Sequence, residues 1–205
     1  MHAAGERPET VTPDPRPLRT AQLLRAAVLF ITGAVIAFTA TLHWQVEFDV
    51  LMVLGGLTLI GIATLYEYYV YRGTAESWWL AARAIIAFGG AGALLAVTGS
   101  VSLALVIAIW AALTATITAL RLVRGAQAKR VALPSLLLSV ALAASVLLVR
   151  EDPIAVTGFF GAYAVIRGVF LGIASFDASA SGESETTPPR EASASTHPNT
   201  GIEDD

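Results

Sequence analysis

Any chemistry in this chain has to come from very few side chains. The sharpest is Arg167, near the middle of a long apolar run, where a charge at bilayer-centre depth costs about 2.5–3.5 kcal/mol on insertion scales. Such a charge needs compensation. Glu67, in another apolar run, is the candidate partner, and Arg25 and Arg83 fall at similar depth in two further runs. One reading makes these four residues a proton or ion relay. The plainer reading is that Glu67 neutralises one arginine while the others snorkel along their stems to the nearby interface. A relay needs acidic or histidine groups at several depths, and Glu67 alone is available. A second group lies between the runs: His43, Glu47, Asp49, Glu151 and Asp152 could titrate between neutral and acidic pH. Protonation there would make a pH-sensing face. Ordinary solvated loop charges are the competing explanation.

Other chemistries lack their residues. The chain has no cysteine, so disulfides, thiolate metal sites and cysteine nucleophiles are excluded. Of three histidines, His2 and His197 are in the terminal stretches, and neither an H-E-x-x-H zinc helix nor a G-x-S-x-G elbow occurs. Gly89, Gly90 and Gly92 follow no strand and precede no Lys, so they mark helix packing or a local hinge, not a phosphate loop. Thr114, Thr116 and Thr118 can return their hydroxyls to their own helix. Trp110, in mid-run, could line a pore or fill a gap between helices. The expectation is a protein that is not an enzyme, with no cofactor and no metal. A net charge of −3 offers no basic patch for nucleic acid.

The elements that position these residues follow from composition. Of 205 residues, 55% are hydrophobic and 14% charged, against roughly 25% charged in an average globular domain. Six apolar runs, at about 22–42, 50–71, 80–98, 102–122, 132–149 and 154–176, each approach the ~20 residues that cross a bilayer as a helix. The expected fold is an all-α membrane protein with six transmembrane helices. Tight links after the first, third and fifth runs (HWQVEFD, TGSVS, REDP) group them as three tandem helical hairpins. Asp152 and Pro153 read as the N-cap and first residue of the last helix, and Pro134 as the opening of the fifth. The first run is too long for a signal peptide and lacks a cleavage pattern.

Residues 1–20, with Pro8, Pro13, Pro15 and Pro17, read as a disordered tail. Residues 178–205, acidic and almost without large apolar side chains, read as a second. The domain between them spans 21–177, with repeats at about 21–73, 78–125 and 131–177.

Basic residues set the expected orientation. Arg7, Arg16, Arg19 and Arg25 precede or begin the first run, Arg72 and Arg83 flank the second link, and Arg121, Arg124, Lys129 and Arg130 crowd the fourth. The other three links carry only Arg150. By the positive-inside rule both termini are cytoplasmic, in the plasma (inner) membrane of a bacterium. Tyr66, Tyr68, Tyr69, Tyr71, Trp78 and Trp79 cluster at the inner boundary, with Trp44 and Phe48 at the outer one.

The second helix of each hairpin carries a similar segment, GLTLIG from Gly56, WAALTA from Trp110 and YAVIRG from Tyr163, each closed by a small residue, Gly61, Ala115 or Gly168. Ala111, Ala115 and Ala119 register with Ala164, Gly168 and Gly172 as small-residue stripes suited to close helix approach. The first helices match through RAAVLFITGAVIAF from Arg25 and RAIIAFGGAGALLAV from Arg83.

With its ending REDPIAVTGFFGAYAVIRGVF, residues 22–176 resemble the HdeD-like acid-resistance membrane proteins, built from three copies of a two-helix membrane repeat. Two departures are the missing link proline in the first two hairpins and Arg167 where family members often carry a polar or acidic residue. The resemblance implies this architecture and a connection to acid or envelope stress, with no catalytic or binding residues to carry over. Expected partners are the lipid bilayer and, through the stripes, a second copy or other membrane proteins. The alternative function is a small channel or transporter whose path passes Glu67 and Arg167.

Overall fold

The computed structural model describes residues 15–39, 45–74, 77–96, 99–125 and 129–183, with side chains given for 19–176 of these. The expected terminal tails at 1–14 and 184–205, and the link residues His43 and Trp44, lie outside the described residues. Six helices account for nearly all the described chain: α1 (Pro15–Phe38), α2 (Val46–Val70), α3 (Ser77–Ala96), α4 (Ser100–Val123), α5 (Lys129–Leu148) and α6 (Pro153–Glu183). Each holds a stretch of 20 to 25 residues long and apolar enough to cross a membrane. At 1.5 Å per residue these reach roughly 30–37 Å, so the fold is an all-α, six-helix membrane architecture.

Three boundaries differ from the sequence reading. α1 begins at Pro15, inside the stretch expected to be a tail. Pro15 and Pro17 occupy its first turn, where backbone N–H groups have no helical partner and a missing one costs nothing. α6 runs on to Glu183, past the expected limit at 177. Pro134 does not open α5; it lies within the helix and deprives the Arg130 carbonyl of its usual donor. The start of α6 is as expected, with Asp152 Oδ1 accepting the backbone N–H groups of Ile154 at 3.0 Å and Ala155 at 3.1 Å. α3 runs unbroken through Gly89, Gly90 and Gly92, and Gly90 lies where a Cβ would touch Leu57 and Trp110.

Consecutive helices are neighbours and α6 returns to α1, so the six form a closed ring. The closest packing joins α1 with α6, α2 with α3 and α4 with α5, that is, between the three hairpins more than within them. Cross-ring contacts of α6 with α2 and α4 place the second helix of each hairpin toward the middle. Leu57, Leu103, Ile107, Val146, Val156 and Phe160 fill that middle and are fully buried. Trp110 meets Phe160 and Tyr163 edge-to-face, with ring centroids 5.8 Å and 5.6 Å apart, so it fills a gap between helices. Large apolar side chains such as Ile31, Ile85, Leu95, Leu137 and Ile166 point outward, as a lipid-facing surface requires.

The seam between α1 and α6 depends on missing side chains. A Cβ at Gly168 would lie 2.6 Å from the Phe30 backbone nitrogen and 2.8 Å from the Ala26 carbonyl oxygen. Backbone cannot yield there. Ala111 and Ala164 are wholly buried, Ala115 nearly so, and Gly61 faces the Phe88 ring. These residues therefore close the bundle and are not open to a partner helix, which corrects the expectation of exposed stripes. Gly172 is not part of the seam, for a Cβ there meets nothing within 4 Å, and Ala119 is only half-buried. Gly168→Val should accordingly destabilise the bundle by about 1–3 kcal/mol, whereas Gly172→Val should leave its melting temperature near that of the parent. Thermal unfolding of both variants in the same detergent tests the contrast.

Candidate functional site: a buried arginine cluster

Helices α1, α3 and α5 start, and α2, α4 and α6 finish, at the end of the bundle that carries Arg72, Arg121, Arg124 and Lys129. Arg25 and Arg83 each lie six residues inside their spans from this end and Arg167 nine, roughly 9 Å and 13 Å along the axis. All three are more than nine-tenths buried, at 8%, 9% and 4% exposure, as is Glu67 at 6%. They do not snorkel. Their guanidinium groups turn inward and share one small cavity of about 20 Å³, with Thr64, Thr114, Trp110 and Tyr163 on its walls.

In each hairpin an arginine makes a polar contact at this level. In the first, Arg25 Nη1 donates to Glu67 Oε2 at 3.0 Å, forming an ion pair. In the second, Arg83 Nη2 donates to Thr118 Oγ1 at 2.8 Å, and Thr118 in turn donates to the Thr114 carbonyl at 2.9 Å. In the third, Arg167 Nη1 donates to Ser139 Oγ at 3.2 Å and to the Tyr163 hydroxyl. The sequence reading assigned Glu67 to Arg167. The carboxylate instead pairs with Arg25, on the neighbouring helix of its own hairpin, and Arg167 is held by neutral hydroxyls.

The cavity occupies corresponding positions of the repeated segments. Ile60, Thr114 and Arg167 share one register position, Trp110 and Tyr163 a second, and the matched helices contribute Arg25 with Arg83 and Leu29 with Ala87.

Charge at this centre does not balance. Arg83 has Arg25, Arg167 and Arg121 as like-charged neighbours and Glu67 as the opposing charge. Among the described residues, three guanidinium groups on the cavity thus face one carboxylate. The Nε–H groups of Arg25 and Arg83 are buried and have no acceptor among the described residues. Arg167 also borders a second cavity of about 90 Å³ between α5 and α6, lined by Pro134, Ser135, Leu138, Ile166 and Phe170.

The chain matches no protein-family model, no curated protein and no solved structure. Its function is therefore argued from the geometry of this centre.

At the opposite end, the proposed pH-sensing residues do not form one solvated group. Glu47, Glu151 and Asp152 are exposed, Asp49 is completely buried, and Asp152 is engaged as a helix cap; His43 lies outside the described residues. Among the described residues, no three His, Asp or Glu side chains come together as a metal site. At the basic end Trp78 stacks on Trp79 at 3.5 Å, with the Arg124 guanidinium 5.3 Å from the Trp79 ring.

Ser139 does not stand out in the sequence, although Ser135 and Ser139 sit four residues apart in a largely apolar helix and both are buried. That spacing places both on one face and was the available signal. Glu67→Gln should leave Arg25 buried without a counter-charge and cost about 3–5 kcal/mol, while Arg25→Met combined with Glu67→Leu should recover most of that loss. Melting temperatures of the single and double variants decide this.

Proposed function

We propose that this chain is a non-enzymatic plasma-membrane protein of the HdeD-like type, a closed helical bundle with both termini in the cytoplasm, acting in acid or envelope stress. The observation that supports a closed bundle is the packed middle. Leu57, Ile107, Trp110 and Phe160 fill the axis beside the arginine cluster, and the cavity there has room for little more than one water. The reading of orientation rests on the sorting of Lys and Arg to the end of the bundle where α1 begins. Association with lipid would use the outward apolar surface, since most of the small residues in the stripes lie in internal seams.

The alternative, a small channel or transporter, is favoured by one specific observation: the excess of buried positive charge around the cavity. The two readings separate in liposomes. Vesicles holding the full chain should keep an imposed ion gradient as well as empty vesicles do; sustained electrogenic flux would replace the closed-bundle reading with transport.

Orientation has its own check. Because the chain lacks cysteine, single substitutions Glu47→Cys and Lys129→Cys, both at exposed positions, give unambiguous labels. In intact cells an impermeant maleimide should modify the first and not the second; the reverse pattern would invert the topology.

A further inference from the structure

We propose that the arginine cluster is a binding site for a single monovalent anion of halide size, held between Arg83 and Arg167 and facing the Arg25–Glu67 pair. The proposal goes beyond the closed-bundle reading and does not depend on it.

Charge is the first ground. A guanidinium group carries its charge throughout the accessible pH range, so the cluster cannot neutralise itself by losing a proton. Buried charges are retained at tolerable cost only when paired or hydrogen-bonded. Glu67 neutralises Arg25, and among the described residues Arg83 and Arg167 are hydrogen-bonded to hydroxyl groups and to no carboxylate. One anion placed between them would supply one of the two missing counter-charges, shared by both guanidinium groups in a medium of low dielectric, where each such contact is strongest.

Donor supply is the second. The guanidinium group has five N–H donors, and the Nε–H of Arg83 stays buried without an acceptor among the described residues. The cluster thus offers spare donors and lacks an acceptor. An anion consisting of one atom can accept from several directions at once.

Size favours a small ligand. The cavity measures about 20 Å³, a little above the ~10–15 Å³ that one water needs, which suits an anion of one atom better than a phosphate or carboxylate with several heavy atoms. Leu29, Ile60, Ala87 and Trp110 supply the remainder of the wall. Such a half-apolar lining favours a weakly hydrated halide over a strongly hydrated polyvalent ion.

The test uses the full chain in detergent, with sodium gluconate, sodium chloride, sodium bromide and sodium phosphate compared at equal ionic strength. Chloride and bromide should raise the melting temperature saturably, by about 5–10 °C at roughly a hundredfold excess over Kd, and gluconate and phosphate should not. Arg83→Gln and Arg167→Gln should each raise the half-saturating chloride concentration by about tenfold or more, while Arg72→Gln, at an exposed position, should leave it unchanged. Equal stabilisation by all four salts would overturn the proposal, as would stabilisation by phosphate alone, which would indicate a phosphate site. A chloride response surviving both arginine substitutions would also overturn it. If neither variant folds, the salt series on the parent chain still decides. This experiment reads binding and the liposome experiment reads conduction, so one can fail without the other.

Discussion

Burying ionised side chains inside a bundle with lipid on its outer face constrains everything else in this protein. A bilayer offers no water to satisfy a stray donor, so each arginine below the interface must find its acceptor on another helix. Arg25 takes Glu67 from α2, Arg83 takes Thr118 from α4, and Arg167 takes Ser139 from α5 together with Tyr163 of its own helix. These bonds tie α1 to α2, α3 to α4 and α5 to α6. They supply within each hairpin the connection that is weaker in its packing, since the tightest apolar seams run between hairpins. Polar ties and apolar seams therefore alternate around the ring, and each helix has one neighbour of each kind.

That alternation shows why charge and packing cannot be considered separately. Gly168 lets α6 approach the α1 backbone near Ala26 and Phe30, directly beside Arg25 in sequence. Arg167, one residue before Gly168, is brought to the same level by the same close approach. Small residues set the distance between helices, and that distance sets which hydroxyl or carboxylate each guanidinium group can reach.

Much of this was legible in the sequence and some was not, for identifiable reasons. Hydropathy alone located all six spans, because a run of about twenty apolar residues has few other solutions. The Asp152 cap was legible because its determinants are local. The partner of Glu67 was not, because a pairing between helices depends on which way each side chain points around its axis, and an apolar run with no polar face records that poorly. Depth would have helped: Glu67 is three residues from the end of α2 and Arg25 six from the start of its span, whereas Arg167 lies nine residues deep. The start of α1 is not legible because Pro15 and Pro17 continue a run of prolines that reads as a tail, although in a first turn a proline has no bond to break. Asp49 reads as a loop charge because it lies just before an apolar run, yet α2 begins at Val46 and carries it inside.

Closure of the ring between α1 and α6 also has a consequence for how the protein is made. Helices enter the membrane in the order of synthesis, so α1 waits for the whole remaining chain before Gly161 and Gly168 cover its Gly33 side. The Arg25–Glu67 pair can form as soon as α2 arrives. Arg167 enters on the last helix, and its acceptor Ser139 has by then already been placed by α5. Assembly thus brings in the deepest charge only after its hydroxyl partner is present, and a ribosome-bound chain truncated before α6 would leave the seam of α1 open.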